Sequence, residues 1–213
     1  MADAEYDYIR DPEEIYRESF ATIRREADLS AFQDQAEDVA VRMIHACGMT
    51  DLVDDLIISP DAVDAGRKAI KRFHAIVCDV EMVRRGIIRR LLPDGLPVLC
   101  QIGLRQTATR AALLETTISA AAIDSMAYEI AGGIVVIGNA PTALFHLLQM
   151  LKDGCEPPAL IIGVPVGFVG AEESKEALIE ACKTIPIITV RGRRGGSALA
   201  AAAMNAVAGG LNR

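Results

Sequence analysis

The 213-residue chain contains no tryptophan, and aromatic residues make up only 4% of it. A formal net charge of -7 leaves no excess of cations either. Phosphate contacts need a broad basic surface, so these two shortages argue against a nucleic-acid binder. Histidine is scarce as well. His45, His74 and His146 stand alone, without a His-x-x-x-His pair or a nearby carboxylate pair, and no metal is expected. The five cysteines, Cys47, Cys78, Cys100, Cys155 and Cys182, are odd in number and lack ligand spacing; most lie in apolar runs and read as reduced core residues. No apolar run approaches the roughly 18 residues of a membrane span. The segment Met1 to Glu5 is acidic where a secretory signal is basic. The expectation is a soluble, cytoplasmic protein with neither nucleic acid nor membrane as partner.

What the chain does have is 51% hydrophobic residues, enough for a full core, and it reads as one domain over residues 1–213. Amino-terminal helices over 11–48 are expected to pack on an α/β core over 60–213. Asp11-Pro12-Glu13 offers an N-cap followed by a proline in the first helical turn. Ala36, Val39, Ala40, Met43, Ile44 and Cys47 form a helical stripe that stops at Gly48. Beyond Ser59-Pro60-Asp61, short apolar runs at 75–78, 98–102, 134–137, 160–162 and 187–190 alternate with helix-like stretches at 81–92, 107–128, 142–152, 172–183 and 196–208. Runs apolar on both faces, joined by crossovers of that length, predict a parallel sheet between helices. The fold class is therefore α/β: a three-layer α/β/α sandwich, Rossmann-like, with a mainly parallel five-stranded sheet.

Glycine-bearing loops directly follow the last three runs: Gly138-Asn139-Ala140-Pro141-Thr142, Gly163-Val164-Pro165-Val166-Gly167-Phe168 and Arg191-Gly192-Arg193-Arg194-Gly195-Gly196-Ser197. In a parallel sheet all three share the carboxyl edge, where open α/β sheets bind ligands. The third loop has the composition of an anion nest entering a helix; a plain strand-to-helix turn is the other reading. Arg191, Arg193 and Arg194 add a local basic cluster that can hold an anion against the overall negative field. No Walker loop or dinucleotide fingerprint is present. Asp79, at the carboxyl end of the first run, occupies the position of a ligand carboxylate or of a helix cap. Asn139 and Thr142 are open between the same two roles, and so are Ser174 and Lys175.

At about 100° per residue His45 falls roughly opposite the centre of its helix's apolar stripe, on a polar face with Arg42 and Asp38. Spacing alone leaves two readings, a solvated histidine or an acid–base group covered by ligand or a second subunit. The carboxyl-terminal dipole of the helix is expected to raise its pKa.

Taken together, Arg42-Met43-Ile44-His45-Ala46-Cys47-Gly48, Ile137-Gly138-Asn139-Ala140-Pro141-Thr142-Ala143-Leu144, Pro165-Val166-Gly167-Phe168-Val169-Gly170-Ala171 with Glu173-Ser174-Lys175, and Gly192-Arg193-Arg194-Gly195-Gly196-Ser197 resemble the precorrin-8X methylmutase (precorrin isomerase) family. Tyr16-Arg17-Glu18-Ser19-Phe20 and Cys78-Asp79-Val80-Glu81-Met82-Val83 extend the resemblance over nearly the whole chain. It implies a three-layer α/β/α fold and a step of cobalamin biosynthesis. In that step precorrin-8X becomes hydrogenobyrinic acid as a methyl group moves from C-11 to C-12 of the tetrapyrrole. It also implies that no redox or metal cofactor is needed, that the protein is a homodimer, and that His45 is proton donor/acceptor with Ser19 and Arg42 as substrate contacts.

An anionic macrocycle of this kind needs an apolar slot for its ring and donors for its arms. Met82, Val83 and the Pro165–Val169 segment, including Gly167 and Phe168, are expected to line the slot. Asp79, Asn139, Thr142, Arg193, Gly195, Gly196 and Ser197 complete the expected substrate-binding set. The chain departs from the family pattern at Arg72-Phe73-His74-Ala75, where Gly-Ala-Pro is usual, and at Thr117-Ile118-Ser119, where an arginine is replaced; Arg110 is a candidate substitute. Two other functions fit the same residues: the same rearrangement on cobalt-precorrin-8, and a non-catalytic carrier of the corrin product.

Overall fold

The structure, a computed structural model, describes residues 6–211, so the acidic segment Met1 to Glu5 lies outside the described residues. The Asp11 side chain accepts a hydrogen bond from the Glu13 N–H, and Pro12 opens α1 (Pro12–Glu26), as the capping pattern implies. Helix α2 (Gln35–Cys47) ends at Gly48, whose φ of 71° is the left-handed conformation that lets its N–H turn back to the Ile44 carbonyl. A 3-10 turn at Thr50–Asp54 leads into β1 (Leu56–Ile58) and α3 (Ala62–Lys71). Then follow β2 (Ile76–Cys78), α4 (Glu81–Gly86), β3 (Val98–Leu99), α5 (Arg105–Leu113), α6 (Ile118–Asp124), α7 (Ala127–Ile130) and β4 (Ile134–Ile137). The chain closes with α8 (Pro141–Lys152), β5 (Leu160–Gly163), α9 (Ala171–Ala181), β6 (Ile187–Val190) and α10 (Ser197–Gly209).

The strands form one sheet in the order β1-β6-β5-β4-β2-β3, parallel throughout except that β1 runs antiparallel to β6. The sheet thus has six strands rather than the expected five. Leu56–Ile58 is a three-residue edge strand, too short to show a period of its own; its pairing of Leu56 with Val190 and Ile58 with Ile188 defines it. Helix α3 was not expected either. The stretch expected as one helix over 107–128 is three, because Glu115 adopts a positive φ of 49° and the Thr117 hydroxyl caps a new helix through the Ala120 N–H. Likewise the 81–92 stretch is α4 followed by a separate 3-10 turn at Arg89–Leu91.

Alternate strand residues divide the core in two. Ile76, Cys78, Ile134, Val136, Leu160, Ile162, Ile188 and Val190 face α1, α2, α3 and α10, while Val77, Val135, Ile137, Ile161 and Ile187 face α6 to α9. Both faces are covered by helices, so each strand is apolar along its whole length. Helix α10, buried from Leu199 to Val207, lies between the sheet and α2. Its alanines permit that close approach, and each large apolar side chain buried in the seam contributes about 1.5–3 kcal/mol. The buried Asn205 side chain donates to the Gly86 carbonyl and accepts from the Ile88 N–H, fixing the end of α4 against α10.

Candidate active site

The i, i+3, i+4 spacing of Tyr16, Ser19 and Phe20 puts all three on one face of α1, and that face meets His45 in the last turn of α2. Ser19 Oγ lies 2.7 Å from His45 Nδ1. The Tyr16 and Phe20 rings each stand 5.3 Å from the imidazole centroid, Phe20 edge-on. The histidine does lie off the buried stripe of α2, but α1 provides part of its cover, and a ligand or partner is not needed for that part. Beside it is an open cleft of about 320 Å³ lined by Glu18, Ser19, Thr22, Ile23, Glu26, Ile44, His45, Gly48 and Thr50.

The expected rise in the His45 pKa is corrected. Burial of the imidazole, followed by the positive charge of Arg42 one turn earlier, holds its pKa below the usual value. Arg42 itself is buried, and its guanidinium donates to the Gly210 carbonyl at 2.7 Å, tying α2 to the end of α10. Burial lowers its pKa as well, yet a guanidinium stays charged in the neutral range. Ser19 and His45 are thus brought into direct contact, whereas Arg42 shares their helix pair with one donor already committed.

The three glycine loops follow the adjacent parallel strands β4, β5 and β6 and meet at the carboxyl edge of the sheet. The Gly196 N–H donates to the Val164 carbonyl and the Gly167 N–H to the Arg193 carbonyl. At Gly195 no side chain fits, since a Cβ there would stand 2.3 Å from the Val164 oxygen and 2.6 Å from that of Pro165. On the outer rim Met82 and Phe168 are 72% and 87% exposed, a pair of large apolar groups open to a ligand or partner. The Arg193 guanidinium sits 5.5 Å over the Phe168 ring and forms no ion pair among the described residues. Ser197, buried, starts α10, whose cap residue Gly196 supplies no side-chain acceptor.

Several expected contacts are placed elsewhere. Asp79 is wholly buried, and its two carboxylate oxygens accept from the N–H groups of Gly138, Asn139 and Ala140 at 2.8–3.1 Å. It anchors the β4–α8 loop and offers no open face to a substrate. Burial raises its pKa, and those N–H groups pull it back. Val83 is wholly buried in the core and lines no open slot, unlike its neighbour Met82. Asn139 is exposed beyond its anchored backbone, and the exposed Thr142 shares a hydrogen bond with the Thr117 hydroxyl at 2.9 Å. The basic cluster is also smaller than its sequence suggests: Arg191 pairs with Glu176 at 2.6 Å and Arg194 with Asp51 at 2.8 Å and with Asp55. Arg110, the candidate substitute for a missing arginine, is engaged by Asp124, which also contacts His146.

The imidazole cleft and the glycine loops are thus two neighbouring groups. The cleft is lined by α1, α2 and the turn after α2, and carries none of the glycine loops. The ion pairs from Arg194 to Asp51 and Asp55 link the turn after α2 to the β6–α10 loop. Composition shows Arg191 and Arg194 but not their carboxylate partners, because Asp51 and Asp55 lie about 140 residues away in sequence and Glu176 lies 15 residues away on another element. The aromatic wall of Tyr16 and Phe20 could have been found from helical spacing on α1. No group of three or more His, Cys, Asp or Glu arranged to hold a metal occurs among the described residues, nor does a helix long and apolar enough to cross a membrane.

A doubly covered, mainly parallel sheet with ligand-type loops at its carboxyl edge, and a histidine held by a serine near them, defines an α/β ligand-binding protein. The precorrin-8X methylmutase family model matches residues 14–209. The chain is 54% identical to the precorrin-8X methylmutase of Pseudomonas aeruginosa over 95% of its length and 97% of that protein. It is 52% identical to the one from a Sinorhizobium species over 96% and 97%. A solved structure titled as the precorrin-8X methyl mutase of Thermus thermophilus superposes with a TM-score of 0.82 at 36% identity, covering 92% of this chain and 94% of that one. The chain belongs to the precorrin-8X methylmutase family, and with it to the isomerases.

Proposed function

We propose that this protein isomerises precorrin-8X to hydrogenobyrinic acid by moving a methyl group from C-11 to C-12, with His45 as proton donor/acceptor. The observation that carries this reading is the Ser19–His45 contact at 2.7 Å within an aromatic wall, next to an open cleft. Ser19 fixes the imidazole through Nδ1, which leaves Nε2 for the substrate. A pKa held low makes the protonated ring a strong acid, able to give its proton to the conjugated system and draw electron density from the migrating centre; once the methyl group is on C-12, the neutral imidazole takes a proton back from the ring system, so that no net proton is gained. The migration is intramolecular, so orientation and exclusion of water supply the remaining rate. No cofactor enters the proposal.

Met82 and Phe168 face the ring, and Arg193 with the N–H groups of Gly195 and Ser197 face its carboxylate arms; Gly167, Asn139, Thr142 and Gly196, whose own N–H is taken by the Val164 carbonyl, flank them. Asp79 and Val83 serve the site by holding these loops and not by touching substrate. A cleft of about 320 Å³ is too small to enclose a tetrapyrrole with its arms. This supports a homodimer in which a second copy closes the site; the place of action proposed for it is the cytoplasm. The high identity to two relatives named for precorrin-8X favours the metal-free substrate over cobalt-precorrin-8. Mixing the protein with a many-fold excess of each substrate and following the tetrapyrrole absorption tests this. Conversion of precorrin-8X beyond one equivalent is expected. A band shift that stops at one equivalent would instead identify a carrier.

A further inference from the structure

Lys175 is a lysine with no exposed surface at all, and it has no carboxylate partner among the described residues. Its Nζ donates at 2.6 Å to the backbone carbonyl of Arg194, in the middle of the β6–α10 loop. Burying an ammonium is costly unless it is paired, so placing one under a single carbonyl requires a compensating role. Peptide geometry supplies one. Across a trans peptide the C=O and the following N–H point in opposite directions, and no peptide bond among the described residues is cis. Turning the Arg194 carbonyl inward to Nζ therefore turns the Gly195 N–H away from the interior. That N–H has no backbone acceptor among the described residues. Gly195 is also pinned from below by the Val164 and Pro165 carbonyls, so the loop has little other freedom.

We infer that Lys175 is the positioning residue of the β6–α10 loop, aiming the Gly195 N–H and the adjoining positive charge at a carboxylate arm of the substrate; this rests on the proposed function above. The charged groups around the amine are Glu172 and Glu176 on its own helix, Asp55 ahead of β1, and, within the loop, Arg191 and Arg194, which pair with Glu176 and Asp55. Burial brings the Lys175 pKa down to about 8 despite these carboxylates. The grip on the carboxylate therefore weakens as pH rises through that value.

The test measures the dissociation constant of hydrogenobyrinic acid by absorption titration between pH 7 and 9.5, for wild type, Lys175→Met and Lys175→Arg, with turnover of precorrin-8X at pH 7. Wild-type affinity is expected to fall about fivefold across that range, the effect of roughly one hydrogen bond. Lys175→Met should bind about fivefold more weakly at pH 7 with kcat within about twofold, and lose the pH dependence. Lys175→Arg, which keeps a charged donor, should restore affinity and hold it to pH 9.5. A flat wild-type profile, or a folded Lys175→Met protein with unchanged affinity, overturns the inference; the wild-type profile decides if the variant does not fold. Wild-type turnover with a flat profile removes only the role of Lys175. Failure of wild type both to bind and to convert the tetrapyrrole removes the reading of the site itself.

Discussion

Ser19 Oγ stands 2.7 Å from His45 Nδ1, and through this contact α1 orients the imidazole carried by α2. If Ser19 acts by fixing the ring, Ser19→Ala lowers kcat by about tenfold while stability changes by no more than the ~1 kcal/mol of one hydrogen bond. Steady-state kinetics with a denaturant titration of the same variant checks both halves. Equal kcat in the variant contradicts the positioning role.

The pH dependence of His45 follows from its lowered pKa. The folded protein favours the neutral ring, so the unfolded chain binds more protons below its ordinary value of about 6.5, and stability is lost as pH falls through and below that point. Histidine proton NMR should give a midpoint for His45 below 6.5. With the protonated ring as acid, kcat/KM should decline as pH rises through the same midpoint.

Asp79 is an anchor, and its removal should show in stability first. Asp79→Ala strips the acceptor from three backbone N–H groups, an expected loss of about 3 kcal/mol. Asp79→Asn keeps one acceptor oxygen and should lose less. Urea unfolding midpoints measure the difference, and a change under about 0.5 kcal/mol in the alanine variant contradicts the anchor.

Patterns local to one element were legible in the sequence. The α1 cap, the α2 stripe ending at Gly48, and the strands at 134–137 and 187–190 match because each depends on a few consecutive side chains. The edge strand β1 did not announce itself, since its definition is its pairing with β6. The family resemblance singled out His45 and Ser19, yet neither their contact nor the direction of the His45 pKa could be read from the sequence. Burial by α1 and the nearness of Arg42 are tertiary facts. Arg191 and Arg194 misled for the same reason, because Glu176, Asp51 and Asp55 reach them only in the folded chain.

The neighbouring arginines separate function from support. Arg193→Ala removes a guanidinium without an ion pair among the described residues, so stability should stay within about 0.5 kcal/mol. Its KM for precorrin-8X should rise about tenfold, equivalent to ~1.4 kcal/mol. Arg194→Ala breaks two partly exposed ion pairs and should cost about 1 kcal/mol of stability. Thermal melts and KM values for the pair distinguish these roles, and equal profiles would contradict them.

The central claim is that His45 moves the proton. Single-turnover conversion of precorrin-8X by His45→Asn, with product binding measured on the same sample, tests it most directly. The expected rate is reduced by about 10²- to 10⁴-fold with product still bound. A variant that binds the tetrapyrrole and isomerises it at the wild-type rate would contradict it.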